Sequence, residues 1–167
     1  MSAVERTFRR ILSGLGLARI TATEDGGPTQ VCQVDFGAGE VHDRRYRLAE
    51  YGFASRPKAG ADAVVVFPAG DRSAGVVIAT GDRRFRLHLE EGEVALHDDL
   101  GHVIKLARDG IKIDGGGHNL AIVNVPVLTT AGSIEAAGDI TAGTVSLQNH
   151  AHTGSQPGSG HTGPPEP

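Results

Sequence analysis

The sequence reads as a mainly β chain: a short N-terminal helix, an OB-like β-barrel, and an intertwined trimeric β-helix that ends in a histidine-bearing tip. Three observations lead there. Apolar residues alternate with polar ones from Ala18 onward. All seven aromatics lie between Phe8 and Phe85. Glycine recurs at short steps through the second half, and its 24 residues in 167 are about twice the usual share. A chain with an aromatic-free second half lacks the large side chains that fill a single compact core.

Residues 1–16 come first. Val4, Phe8, Ile11, Leu12 and Leu15 recur at helical spacing with Arg6, Arg9 and Arg10 between them, and Gly14 or Gly16 ends the run. An isolated helix this short is marginal in water, so its apolar stripe is expected to dock. The mixed charge of MSAVERTFRRILSGLG leaves no apolar h-region, so the segment does not read as a signal peptide.

Residues 17–83 follow. ARITAT, QVCQVDF, RRYRLAE, ADAVVVFP and GVVIAT read as five strands, separated by the turn clusters DGGP, RPKAG and PAGDRSAG. Five short strands in this length fit a small closed barrel of OB type, with an SH3-like barrel as the alternative. Cys32, the single cysteine, sits in an apolar alternation and reads as a small buried hydrophobe made in a reducing compartment.

Residues 84–147 carry the alternation without bulk. Phe85, Leu87 and Leu89 alternate with Arg84, Arg86 and His88; Ile104 and Leu106 flank Lys105; Ile111 and Ile113 flank Lys112. Gly92, Gly101 and Gly110 fall nine residues apart, and NLAIVNVPVL, GSIEAA, GDITA and GTVSL continue in short β segments. No segment has enough apolar surface to bury itself. Intertwining several copies lets each inward residue meet its symmetry mates, and three chains suit so narrow a shaft.

Residues 148–167 are polar and rich in Gly, Pro and His. His150 and His152 form an H-x-H, and in an extended chain residues two apart face the same side. Three chains would bring six imidazoles to one axis. Six nitrogens describe an octahedral site, which suits Fe(II), Ni or Co better than structural zinc. His161 follows nine residues on, and His42, His88, His97, His102 and His118 read as scattered solvated residues.

Composition limits the function classes. A net charge of −4 offers no general attraction to phosphate backbones, and no stretch approaches the ~20 apolar residues of a membrane helix. No Ser/His/Asp set, phosphate loop or carboxylate pair stands out, so no enzyme is expected. A nucleic-acid-binding barrel would use Tyr46, Tyr51 and Phe53 for stacking beside Arg44, Arg45, Arg47, Arg56 and Lys58, yet needs neither a glycine-punctuated shaft nor a histidine tip. A glycan-binding fibre would place aromatics at its tip, where there are none.

The order of parts resembles the baseplate assembly protein V family, the central spikes of contractile-tailed phages such as Mu. The resemblance rests on YGFASRPKAGADAVVVFPAGDRSAGVVIATGDRRFRL (51–87), GEVALHDDLGHVIKLARDGIKI (92–113) and GDITAGTVSLQNHAHTGSQPGSGHTGPPEP (138–167). It implies a homotrimeric needle, without catalysis or a small-molecule substrate, that pierces the host outer membrane during tail contraction and takes part in baseplate assembly. Its partners would be baseplate hub and tail tube proteins. It would be assembled in the host bacterial cytoplasm and carried in the virion. It implies one iron ion (Fe2+) per trimer, held at the apex by the histidines that match here as His150 and His152. Ala151 stands where relatives often have Thr. The family also allows calcium or chloride in the shaft, although no motif places either. A tailocin or secretion-system spike of the same ancestry would share all of these features.

Overall fold

The computed structural model describes residues 4–5 and 13–150. Ten strands occupy the described residues: β1 (Leu15–Glu24), β2 (Val31–Asp35), β3 (Val41–Arg47), β4 (Asp62–Val66), β5 (Val76–Gly81), β6 (Val94–His97), β7 (Val103–Leu106), β8 (Ile111–Asp114), β9 (Thr141–Ala142) and β10 (Val145–Ser146). Among the described residues, helix occurs at residues 4–5 and in two single 3-10 turns, Pro68–Gly70 and Arg72–Ala74. The rest of the N-terminal helix expected over 1–16 lies outside the described residues up to residue 12. Its final residues differ from the expectation: Leu15 and Gly16 begin β1, paired with Val66 and Val65. Helical spacing alone could not see the strand partner that claims Leu15.

The chain divides into two compact units, residues 1–120 and 121–167. In the first unit, strands β1 to β5 close into a barrel in the order β1-β2-β3-β5-β4. All barrel pairs are antiparallel except β3 with β5, which run parallel through Tyr46–Val76 and Arg47–Val77. The period of two selects which residues face inward. Ile20, Cys32, Val34, Ala61, Ala63, Val65, Phe67 and Val77 form one buried cluster in the interior. Phe36 packs on this core with its ring centre 5.6 Å from that of Phe67. Burial pushes the Cys32 thiol above its ordinary value, so it behaves as a small inert hydrophobe.

His42 departs from the solvated position expected of it. Its ring lies 5.0 Å from Phe36 and 5.9 Å from Phe67, and its Nε2 is 2.9 Å from Glu40. Glu40 also meets Arg72, whose guanidinium lies over the Phe67 ring at 4.1 Å. This aromatic and ionic plug closes one side of the small core.

Strands β6, β7 and β8 form a three-stranded antiparallel sheet. The alternation before it, residues 84–90, forms no strand. Asp82 instead draws Arg84 back, with Nε–Oδ1 at 2.8 Å, and Phe85 lies beneath Lys58 and Arg84. Of the apolar residues there, Phe85 is held by these cations, while Leu89 stays exposed. In the second unit, β9 and β10 make a short antiparallel hairpin, while the other expected segments, NLAIVNVPVL and GSIEAA, form no strands. Their backbone finds no ladder partner among the described residues.

Candidate functional site: the exposed apolar faces and the C-terminal histidine

The register of the three-stranded sheet sorts its side chains cleanly. Val94 pairs with Leu106 and Leu106 with Ile111, while Leu96 pairs with Ile104 and Ile104 with Ile113. Paired residues share a face, so these six aliphatics form two adjacent rows on one side. All six are exposed, from Ile104 at 42% to Ile111 at 74%. The opposite side carries Ala95, Lys105 and Lys112 in one row and His97, Val103 and Asp114 in the next. Lys105 pairs there with Glu93 at 2.7 Å, and that hydrogen bond holds the Glu93 carboxyl below its usual value. One face is therefore ionic and satisfied, and the other is apolar and uncovered among the described residues.

The second unit repeats this on a larger scale. Every residue from 121 to 145 is exposed, including Ile122, Val123, Val125, Val127, Leu128, Ile134 and Ile140. Such surface exceeds what a solitary soluble chain usually presents.

The hairpin of the second unit places His150. Gly143, with φ of +61°, makes the turn between β9 and β10, and Leu147 N–H donates to Ile140 C=O at 2.8 Å. Asp139 accepts from Gln148 N–H at 3.1 Å, and hydrogen bonding, led by Ser146, keeps its carboxyl below the ordinary value. Asn149 N–H donates to Ser146 Oγ, and His150 N–H to Ser146 C=O. The ring follows: Nδ1 sits 2.9 Å from Ser146 C=O and 3.1 Å from Leu147 C=O. Metal-ligating histidines are held in this way, through a hydrogen bond from the nitrogen that does not meet the metal. His150 thus fits a ligand role in its orientation. His152 and His161 lie outside the described residues.

Sequence reading missed one cluster. Asp98 Oδ1 accepts from the N–H of Leu100 and of His102, and Asp98 Oδ2 meets His102 Nδ1 at 2.6 Å. Burial raises the Asp98 carboxyl, but the hydrogen bonds from the His102 ring and these N–H groups outweigh it and leave the pKa lowered. The ring of His118 stands 5.0 Å from that of His102. The signal was present in the sequence as two copies of D-x-x-G-H, Asp98–His102 and Asp114–His118, sixteen residues apart.

The basic residues that a nucleic-acid reading would use are mostly engaged. Arg44 pairs with Glu24 at 3.2 Å, Lys58 pairs with Asp99, and Arg47 donates to Gln30, Ser55 and Thr80. Tyr51 and Phe53 are exposed on the loop that Arg47 pins.

Comparison with known proteins gives two matches. The Baseplate puncturing device gp45 of Escherichia phage Mu is 34% identical over 104 residues, which cover 62% of this chain and 53% of that protein. The chain thus spans about half the length of the relative it matches. Residues 18–84, which contain nearly all of the barrel, match the family model described as Bacteriophage Mu Gp45, N-terminal. In its barrel region the chain is thus similar to the N-terminal domain of Bacteriophage Mu Gp45.

Proposed function

We propose that the protein is the central spike of a contractile phage tail baseplate. In this reading it is a homotrimer that pierces the host outer membrane on contraction, works mechanically rather than as an enzyme, and resides in the virion. The observation that carries it is the uncovered apolar surface: six aliphatics on one face of β6–β8, followed by 25 consecutive exposed residues from 121 to 145. Copies of the same chain supply matching apolar rows at the same height, and a closed assembly leaves no free strand edges. Kinship with a protein named a baseplate puncturing device supports the mechanical role. The barrel is of OB type in this reading, supported by its strand order and the parallel β3–β5 contact. Baseplate hub and tail tube proteins are its partners, and it assembles in the host cytoplasm.

His150 and His152 from three chains would hold one iron ion at the apex. Iron there would supply a saturated structural centre, and the residues of this chain would do the positioning: the β9–β10 hairpin and the Ser146 carbonyl orient the His150 ring. Mass measurement with elemental analysis tests the reading. A trimer with about one iron per three chains is expected. Replacing both His150 and His152 with Ala should remove the iron and leave the trimer, because apolar burial carries most of the association. A monomer in sedimentation overturns the proposal.

A further inference from the structure

The two D-x-x-G-H turns lie against each other. In each, the aspartate caps the turn: Asp98 Oδ1 accepts from Leu100 N–H at 2.9 Å, and Asp114 Oδ1 from Gly116 N–H at 3.0 Å. In each, the glycine before the histidine has positive φ, +90° at Gly101 and +87° at Gly117. Strand β7 pairs with β8 in the register that sets Val103 opposite Asp114, so the first turn ends where the second begins. Gly116 permits the close contact. A Cβ there would stand 2.9 Å from both the Gly101 carbonyl carbon and the Leu100 carbonyl oxygen. The backbone approach brings the two histidine rings to 5.0 Å, inclined at 65°.

We propose that His102 and His118 form a divalent transition-metal site, for Zn2+ or a similar borderline ion, distinct from the C-terminal H-x-H. The spacing is that of two imidazoles on one ion. With metal–nitrogen bonds of about 2.1 Å, each ring centre stands about 3.2 Å from the metal, and two rings at a near-tetrahedral angle stand about 5 Å apart. The tautomer of the neutral ring is also set. Asp98 is an acceptor, so the His102 Nδ1–H donates to it, and in the neutral ring Nε2 carries the lone pair. A carboxylate behind a ligating histidine is the usual second partner of such sites. Among the described residues no third His, Cys, Asp or Glu converges on the same point, so water completes the coordination shell. The ion would clasp two successive turns of the chain. It selects for imidazole-binding metals and against Ca2+ and Mg2+, which prefer oxygen ligands.

The test uses the full chain with His150, His152 and His161 changed to Ala, so that the C-terminal histidines contribute nothing. Titration with Co2+ should show saturable visible d–d absorption at one ion per chain, displaced by Zn2+. His118→Ala and His102→Ala should each abolish it, while Asp98→Asn should weaken binding by about 10- to 100-fold. His118→Cys should restore binding with a thiolate-to-cobalt charge-transfer band, which a purely structural role for His118 would not produce. Absence of Co2+ uptake, or a titration unchanged by His118→Ala, overturns the site. Because the H-x-H is missing from this background, neither outcome bears on the apical iron.

Discussion

Single charged residues at the barrel exit act as hinges of local structure, and Asp82 is the clearest. Its carboxylate accepts from the Arg84 side chain at 2.6 and 2.8 Å and from Arg84 N–H at 3.1 Å. The Arg84 side-chain hydrogen bond is the main reason that its pKa is lowered to about 2. An unfolded aspartate titrates near 3.9, so the folded state favours the ionised form. The stability this contributes is complete above about pH 4 and is lost as pH falls towards 2. Carbon-detected NMR titration should place the Asp82 midpoint near 2. Thermal melts between pH 5 and pH 2.5 should show a smaller acid-induced loss in Asp82→Asn than in the parent. Equal loss in both would mean that the contact carries no linkage.

At the level of the strand, packing decides what glycine can be replaced. Gly75 immediately precedes β5, against the buried Phe67. A Cβ added there would come within 2.7 Å of the Phe67 ring and 3.1 Å of Val65. Phe67 is 1% exposed and hemmed by Phe36 and His42, so it has little room to yield. Gly75→Ala should therefore destabilise the barrel by about 1–3 kcal/mol, measured as a lower denaturation midpoint at unchanged slope. Four of the barrel strands were legible in the sequence because each buries residues within the same chain, which enforces a period of two, whereas the strand expected at 44–50 lies instead at Val41–Arg47 and buries no residue fully. The segments beyond Phe85 share that period but become strands only where a partner exists: Val94–His97 found one in Val103–Leu106, and 119–128 found none. Periodicity records which side of a segment wants burial, not who supplies it. His102 and His118 escaped notice for a related reason. Their pairing depends on the β7–β8 register and on Gly116, neither of which is visible at either histidine alone.

At the level of the whole molecule, the proposed trimer would set the apolar face of β6–β8 between copies. Ile104 sits at the centre of that face, with Leu96 and Ile113 paired on either side. In a threefold assembly Ile104→Asp would bring three carboxylates into one apolar layer, where an unpaired charge costs several kcal/mol. Lys112 lies on the opposite, ionic face and is exposed, paired with Asp114 at 3.3 Å. Lys112→Gln alters charge without touching the proposed contact. Sedimentation at matched concentration should thus give a trimer for the parent and for Lys112→Gln, and a dissociated chain for Ile104→Asp. The barrel should remain folded in the dissociated chain, because its core of Ile20, Val34, Val65, Phe67 and Val77 is buried within one copy. Near-ultraviolet circular dichroism of Phe67 and its neighbours would report that. A trimer that tolerates Ile104→Asp would show that this face is not the one the copies share.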